Sequence, residues 1–283
     1  MHDFPPLPPV ADAPPALFDG GHLWLLELVD GGPLRFQLRE SGRLRFGDAD
    51  RVLGEGVEAL PPRYRCAGRQ VRDALDRAAL RAAVDDVSAV TVCGVSTHRG
   101  AVAYDWARTP PFVGYDVHDG TRDRFLSPDV VERSLDRLGL APANAVAKER
   151  RAADFDAEGY AMPDSAYYDG PAAGVVVRSK AGPRARIDGP VGPTWAAGAS
   201  AERAGPPDVD VAELADRYLD RDRFERAAAA LEAAGRPVTF EAVAERVRDG
   251  VAREHHAVLP GEDGGPAFRE AVAARINRFL ADR

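Results

Sequence analysis

The stretch from His22 to Gly32, HLWLLELVDGG, constrains the fold more than any other part of the chain. It is apolar apart from one carboxylate, Glu27, and it runs into a turn at Asp30-Gly31-Gly32. A strand that stops at Asp-Gly brings its last side chains to the rim of a sheet, where clefts form. Leu28, two residues before Asp30, is therefore predicted to point into a cleft.

Composition limits the class of protein. The 283 residues are enough for one large domain and a small one, and 45% hydrophobic with 29% charged residues is typical of a globular protein. No apolar run of ~18 residues predicts a membrane span. Residues 1–19 lack the basic and apolar segments of a secretory signal and are predicted to be an extended, Pro-rich lead-in. Cys66 and Cys93 cannot build a disulfide framework, which favours a cytoplasmic protein.

Charge usage is skewed. Only Lys148 and Lys180 are lysines among 37 basic residues, and the net charge is -8. Two explanations remain open, namely salt adaptation of a halophilic protein and the codon bias of a GC-rich genome. A net acidic chain is not typical of a nucleic-acid-binding protein, although a local basic cleft is compatible with it.

The first two thirds of the chain predict a mixed α and β domain. Residues 22–29, 33–38 and 43–47 are expected to be consecutive antiparallel strands, with tight turns at Gly31-Gly32 and Ser41-Gly42. The later elements predicted from apolar periodicity and turn residues are a helix at 68–84, strands at 87–95 and 112–120, a helix from Ser127-Pro128 to Leu138 that stops at Gly139, a helix at 143–159, and strands at 172–180 and 183–188.

The composition changes near Gly189. Residues 191–207 are predicted to be a linker rich in Gly, Pro, Ala and Ser, and residues 208–283 a small bundle of helices. Three apolar stripes at helical spacing support the bundle: Val211, Leu214, Tyr218 and Leu219; Phe240, Val243, Val247 and Val251; and Phe268, Val272, Ile276 and Phe279. No Cys/His spacing indicates a zinc site.

Five short segments follow one another along the chain: Glu27–Gly31, Cys93–Val95, Tyr115-Asp116, Ala173–Arg178 and Arg184–Arg186. Taken in this order, they resemble the motifs of the RNA ligases of the phage nick-sealing type, within the covalent nucleotidyltransferase superfamily. In that family a strand ends in Glu-Lys-x-Asp-Gly, a second ends in Gly-Glu, and a third carries an aromatic residue before Asp. The remaining motifs are Glu-Gly-Val-Val-x-Arg and Lys-x-Lys.

The resemblance implies an α+β, antiparallel-sheet nucleotidyltransferase core over residues 20–190, followed by a helical C-terminal domain. It also implies ATP with Mg or Mn as cofactors, and RNA ends as partners. In these ligases a lysine amine attacks the α-phosphate of ATP and holds AMP as a phosphoramidate. The adenylate passes to a 5′-phosphate, and a 3′-hydroxyl then displaces AMP.

The chain departs from the family pattern at three functional positions. Leu28 stands where the nucleophilic lysine is expected, Val95 where a ribose-binding glutamate is expected, and Ala173 where a metal-associated glutamate is expected. Arg184 and Arg186 replace the two lysines of the last motif, and arginine keeps the charge and grips phosphate. The resemblance therefore implies a cleft without an intact catalytic nucleophile.

The nucleotide-binding residues that the resemblance implies are Glu27, Asp30, Tyr115, Arg178, Arg184 and Arg186. Each has a plainer alternative, such as a core aromatic residue for Tyr115 or a solvated charge for Glu27. Arg184 and Arg186 share one face of a strand, because alternate residues do so. The metal ligands, if there are any, are unknown.

Two classes of function follow. The first is an RNA-ligase-like protein, a pseudoenzyme, that binds a nucleotide or RNA ends without the covalent step. The second is a non-catalytic binding or regulatory module, such as a partner of an active ligase. A third interpretation makes Lys180 a relocated nucleophile, although a lysine at a strand end is more often a surface residue. His98, in a loop, is a further candidate for ligand contact.

Overall fold

The computed structural model describes residues 1–193, 211–259 and 264–283. The strands are β1 His22–Glu27, β2 Gly32–Leu38, β3 Leu44–Gly47, β4 Val52–Glu55, β5 Val90–Ser96, β6 Phe112–Asp119, β7 Arg124–Phe125, β8 Ala145–Arg151, β9 Gly174–Ser179 and β10 Arg184–Asp188. They form two antiparallel sheets, one with the order β10-β9-β1-β8 and one with the order β4-β3-β2-β5-β6-β7. The fold is thus of the predicted mixed α and β class, with antiparallel sheets.

The first two strands do not form the hairpin that the sequence predicted. β1 pairs with β8 and β9, whereas β2 pairs with β3 and β5 in the other sheet. Gly31 has a φ of 155°, and a Cβ there would lie 2.3 Å from the carbonyl oxygen of Ser96. The Asp-Gly-Gly turn is therefore a crossing between sheets that only glycine fits, and it places the end of β1 at the junction of the two sheets.

Residues 143–159 were predicted to be helical, and this prediction is wrong. Ala145–Arg151 is an edge strand, β8, that pairs with β1 and is followed by a short 3-10 turn at Ala152–Asp154. Its alanines and charges favour a helix locally, but pairing with the buried strand β1 overrides that preference. The indole Nε1 of Trp24 donates to Glu149 at 2.9 Å and ties the two strands together.

The single helix predicted at 68–84 is two helices, α1 Pro62–Ala74 and α2 Arg77–Ala83. Leu75 is extended, and the carboxylate of Asp76 accepts the backbone N–H of Ala79 at 2.8 Å as a new N-cap. The helix predicted after Ser127 is present as α3, Pro128–Arg137, and Gly139 beyond it has a φ of 75°. α1, α2 and α3 pack on the six-stranded sheet around the main core.

The N-terminal residues are extended only in part. Short 3-10 turns occur at Val10–Asp12 and Pro15–Leu17, and Leu17 is completely buried against the four-stranded sheet. Apolar side chains in a Pro-rich segment can pack as well as those in a helix, which composition alone does not reveal. The segment is therefore anchored in the core through Leu17.

The C-terminal helices are α4 Val211–Tyr218, α5 Arg221–Ala233, α6 Phe240–His255 and α7 Gly265–Ala281. The three predicted apolar stripes lie on α4, α6 and α7 and join one hydrophobic cluster. α5, which no predicted stripe marked, contributes Phe224 and Leu231 to the same cluster. From residue 194 onward, the predicted linker lies outside the described residues. Within the described ranges, no helix is both long and apolar enough to cross a membrane.

Buried ion pairs join the helical bundle to the sheet region. Arg69 on α1 binds the carboxylates of Asp249 and Glu245 on α6. The guanidinium of Arg253 donates to Thr97, including its backbone oxygen at 2.9 Å, and to the backbone oxygen of Thr109 at 2.8 Å. These contacts bring the end of α6 to the loop after β5.

Candidate functional site

Leu28 lies at the floor of a cavity of about 760 Å³ between the two sheets. It follows β1 directly, and its backbone N–H donates to the carbonyl oxygen of Gly174 at 2.9 Å. Its side chain is 2% exposed and packs with Trp24, Leu26 and Val176. The sequence-based prediction that this leucine faces a cleft is confirmed.

The cavity is lined by residues of the N-terminal segment, the two sheets, the β3–β4 loop, α1 and the residue after α6. The lining residues used below are Phe4, Leu7, Leu28, Arg63, Tyr64, Val95, His98, Tyr115, Asp116, Arg184 and His256. Aromatic, apolar and cationic groups thus face one another across a space large enough for a nucleotide-sized ligand.

A buried ionic triad forms one wall. Asp116 on β6 binds Arg178 on β9 at 2.8 Å and Arg184 on β10 at 2.5 Å. Arg178 also donates to the backbone oxygens of Tyr115, at 2.9 Å, and Leu126. Burial is the main cause that lowers the pKa of Arg178, to about 10, and Asp116 opposes it. Two guanidinium groups share one carboxylate, so the triad carries one net positive charge.

Tyr115 lines the cavity beside Leu28. Its hydroxyl donates to the backbone oxygen of Glu27 at 2.5 Å and accepts the N–H of Val29 at 3.0 Å. Burial, as the main cause, raises the pKa of Tyr115 well above its usual value. The hydroxyl is therefore a fixed structural contact, and the ring is the part of the side chain that is available to a ligand.

Glu27 has a structural role next to the cavity. Its carboxylate is buried and accepts hydrogen bonds from Asn144 at 2.9 Å, Ser165 at 2.5 Å and the N–H of Ala166 at 3.1 Å. Because these donors surround the carboxylate, it anchors the loop at 165–166 to the end of β1. Glu27 is not among the residues that line the cavity.

Asp30 has a similar structural position. One carboxylate oxygen accepts the N–H of Gly31 at 3.0 Å, and the other accepts the N–H of Ala101 at 2.8 Å. The backbone N–H of Asp30 in turn donates to the hydroxyl of Tyr104 at 2.7 Å. Asp30 is fully buried, holds the sheet crossing and does not line the cavity.

Arg178 and Arg186, the other two predicted nucleotide-binding arginines, do not line the cavity either. Arg178 lies behind Arg184, inside the triad. Arg186 binds Asp188 at 3.0 Å and the backbone oxygen of Leu7 at 2.7 Å. Of the six predicted residues, the structure thus brings only Tyr115 and Arg184 to the cavity surface.

Comparisons with known proteins support the fold assignment. No family model and no curated protein matches the chain. Two structures of Naegleria gruberi RNA ligase variants with AMP and Mn match with a TM-score of 0.50 at 13% identity, over 66% of this chain and 56% of the ligase chain. The fold resembles that of RNA ligases. An archaeal ATP-dependent RNA ligase matches over 99% of this chain at 15% identity with a TM-score of 0.46, and this chain spans 63% of its length.

Neither lysine lies in the cavity of this RNA-ligase-like fold. The ammonium of Lys180 binds Glu149 at 2.6 Å, and that of Lys148 binds Glu132 at 2.7 Å. The hydrogen bond to Glu149 is the main cause that raises the pKa of Lys180. A lysine nucleophile needs a neutral amine, so this environment disfavours Lys180 in that role.

The two positions at which the resemblance implies a glutamate do not fit Mg or Mn. Val95 lines the cavity and Ala173 is buried in a cluster with Val29 and Tyr104, so neither position offers an oxygen ligand. Asp116 is already shared by two arginines. Hard divalent ions need several oxygen ligands, and these positions supply none that is uncommitted.

His98, which the sequence marked as a candidate for ligand contact, lines the cavity, whereas His256, Phe4 and Leu7 come from distant parts of the chain and were not predicted as cavity residues. His98 faces His256 with ring centroids 5.2 Å apart, and its Nδ1 lies 3.0 Å from the backbone oxygen of Ser96. Burial is the main cause that lowers the pKa of His98 to about 3, so the ring is neutral at pH 7. Phe4 and Leu7 reach the cavity from the N-terminal segment, and no motif marks them.

Proposed function

We propose that this chain binds an adenosine nucleotide or a phosphorylated RNA end in the central cavity without forming a covalent nucleotide intermediate. The observation that carries the proposal is Leu28 at the cavity floor, next to Tyr115 and Arg184, in a fold shared with RNA ligases. Leucine has no atom that can attack a phosphate. The cavity itself is retained.

The ionic triad supplies the chemistry for a phosphate group. Arg184 lies at the cavity surface, and Arg178 behind it has an Nε without a hydrogen-bond partner. Because Asp116 neutralises only one of the two guanidinium groups, a phosphate completes the charge balance. Arginine binds phosphate oxygens through planar, charge-assisted hydrogen bonds.

Tyr115 supplies the complementary contact for a base. Its hydroxyl is held by Glu27 and Val29, so the ring is fixed in place before the ligand arrives. Stacking of a base on an aromatic ring contributes about 1–3 kcal/mol. The aromatic face and the arginine therefore match the two ends of an adenosine nucleotide.

The first prediction concerns covalent chemistry. When the protein is incubated with labelled ATP and Mg²⁺ or Mn²⁺ at low and at molar salt, we expect no label on the denatured protein, because Leu28 carries no nucleophile and both lysines are ion-paired elsewhere. Acid-labile label on the chain would overturn the loss of the covalent step. Loss of that label in a Lys180→Gln variant would then identify Lys180 as the nucleophile.

The second prediction concerns affinity. Replacement of Arg184 with glutamine is expected to weaken AMP binding by a factor of about 10 or more, because a hydrogen bond to a charged group contributes about 1.5–3 kcal/mol. Isothermal titration calorimetry measures the loss. Arg133→Gln is the matched control, since Arg133 lies on the exposed side of α3 and pairs only with Asp129 at 3.1 Å among the ion pairs of the described residues.

Two further measurements make the affinity result decisive. Circular dichroism first verifies that the Arg184 variant is folded, and Tyr115→Leu tests the base contact independently of the triad. Equal affinity in the parent, the Arg184 variant and the Tyr115 variant would contradict binding in this cavity. If the parent protein has no affinity for ATP, AMP or nicked RNA duplex, the alternative of a protein-interaction module replaces the proposal.

A further inference from the structure

The N-terminal segment, residues 1–9, crosses from one sheet to the other over the cavity. At its start, the backbone N–H of His2 donates to Thr91 on β5 at 3.1 Å, and Arg35 on β2 donates to the backbone oxygen of His2 at 2.7 Å. At its end, the N–H of Arg186 on β10 donates to the backbone oxygen of Pro8 at 2.8 Å. We call residues 1–9 the strap, because Phe4 and Leu7 between these ends line the cavity.

Three potential metal ligands meet where the strap begins. His2 stacks on His118 of β6 with ring centroids 3.6 Å apart, and Asp123 from the β6–β7 turn lies beside both rings. The ligand atoms of the three side chains all lie within 4.8 Å of one another. Phe125 packs edge-on against both imidazoles and closes one side of the cluster with an apolar surface.

His118 is the buried member of the cluster. Its residue is 2% exposed, and neither ring nitrogen has a hydrogen-bond partner. Its Nε2 lies 3.3 Å from a carboxylate oxygen of Asp123. A buried polar atom without a partner costs free energy, so native structures rarely retain one unless water or an ion binds it.

His2, the other histidine of the cluster, has the hydrogen-bond arrangement that is common among metal-binding histidines. Its Nδ1 lies 2.9 Å from the backbone oxygen of Asp3, which makes Nδ1 the protonated nitrogen. Nε2 then carries the lone pair, and it lies 4.0 Å from Asp123. A hydrogen bond from one ring nitrogen to a backbone carbonyl commonly fixes the tautomer of a metal-binding histidine.

We propose that His2, His118 and Asp123 bind a divalent late-transition metal ion, with Zn²⁺ as the reference ion. Imidazole nitrogen with one carboxylate suits Zn²⁺, Co²⁺, Ni²⁺ or Cu²⁺, whereas Mg²⁺ prefers oxygen ligands alone. Zinc bonds of about 2.0–2.2 Å require the ligand atoms to approach one another more closely than they do here. His118 is fixed by burial, while the side chains of His2 and Asp123 are 40% and 88% exposed and can rotate inward.

Metal binding at this point has a consequence for the cavity. The ion bridges the first residues of the strap to β6 and the β6–β7 turn, and it therefore holds Phe4 and Leu7 in the cavity wall. Phe125 also carries the guanidinium of Arg184 above its ring, 5.2 Å from the ring centre. The metal site and the ionic triad thus share one aromatic neighbour.

The test uses tag-free protein of residues 1–283 that has been stripped with a chelator and then titrated with Zn²⁺ by calorimetry and with Co²⁺ by visible absorption. We expect calorimetry to give a stoichiometry of one Zn²⁺ ion per chain. We expect the Co²⁺ titration to produce the intense visible d–d absorption bands of Co²⁺ with a low coordination number. The Asp123→Asn and His2→Gln variants change exposed side chains, and asparagine tolerates the left-handed φ of 48° at position 123. We expect each variant to lose affinity by a factor of about 10 or more, as losses of metal-site residues do.

His22→Gln is the matched control, because His22 is an exposed histidine at the start of β1, and we expect its affinity to equal that of the parent. A second readout is thermal unfolding, in which Zn²⁺ raises the midpoint of the parent and of the control but not that of Asp123→Asn. The proposal is wrong if the parent binds no ion, or if the His2 and Asp123 variants bind as tightly as the control.

Discussion

Replacement of Asp116 with asparagine is expected to lower the free energy of unfolding by about 3–5 kcal/mol, because it leaves buried guanidinium groups without a counter-charge. Arg178 and Arg184 are 1% and 6% exposed, so water cannot replace the lost carboxylate without a rearrangement of the cavity wall. Urea unfolding followed by circular dichroism measures the change.

The matched control for Asp116 is Glu225→Gln, which removes the carboxylate of an exposed pair with Arg221. Exposed pairs contribute about 0–1 kcal/mol, so the control is expected to lose no more than that. Inorganic phosphate is expected to restore part of the stability of Asp116→Asn, since the anion supplies the missing charge. A loss of stability as small as that of the control would show that the triad is not the unit that holds this wall.

The pattern of apolar and polar residues along the chain correctly predicted those strands and helices whose apolar residues are buried. The strands β5, β6 and β9 are rich in apolar residues and almost entirely buried, and the helix α3 begins at Pro128 as expected. The prediction failed at β8, where an alanine-rich, charged segment has the composition of a helix. Its conformation is decided by pairing with β1, which is more than 100 residues away along the chain, and no local signal carries that information.

In the candidate site, too, the positions of the motifs could be predicted from the sequence, but the contacts between distant strands could not. Motif order placed Tyr115 and Arg184 beside Leu28, and the structure brings these three together in one cavity. The pairing of Asp116 with two arginines depends on the register of β9 and β10 relative to β6 in the other sheet. Arg178 was therefore predicted to contact a ligand, whereas in the structure its guanidinium forms a buried ion pair with Asp116.

The role of the strap was equally hidden from the sequence. A Pro-rich segment has no periodicity that reveals a buried face, and His2 becomes informative only when the fold places it on His118. Residues with a chemical role can therefore lie in segments that composition assigns to a simple lead-in.

Replacement of Leu28 with lysine is expected to destabilise the protein without producing RNA sealing. The site is 2% exposed and lies among Trp24, Val113 and Val176, so a charged ammonium loses most of its hydration there. The pKa of the introduced lysine is therefore lowered in the folded state. Each pKa unit corresponds to about 1.4 kcal/mol, and shifts of about 3–5 units occur in fully buried lysines.

Because the pKa of the introduced lysine is lower in the folded state than in the unfolded state, the stability lost in Leu28→Lys depends on pH. Above the pKa of the unfolded chain both states hold a neutral amine, and the penalty vanishes. As the pH falls below that value, the unfolded state takes up the proton first, so the loss of stability grows until the pH reaches the lowered folded pKa. We expect urea unfolding to show a larger loss at pH 7 than at pH 10, relative to Leu28→Met, which keeps the volume and adds no charge.

The expected absence of RNA sealing by Leu28→Lys has a different cause from its loss of stability. A neutral amine at position 28 restores the nucleophile that the resemblance to RNA ligases implies, but Val95 and Ala173 still offer no carboxylate for the ribose and the metal. A nicked RNA duplex incubated with the variant, ATP and Mn²⁺ is therefore expected to remain unsealed on a denaturing gel. Efficient sealing would show that the leucine alone separates this cavity from an active ligase, and that the two glutamates are dispensable in this fold.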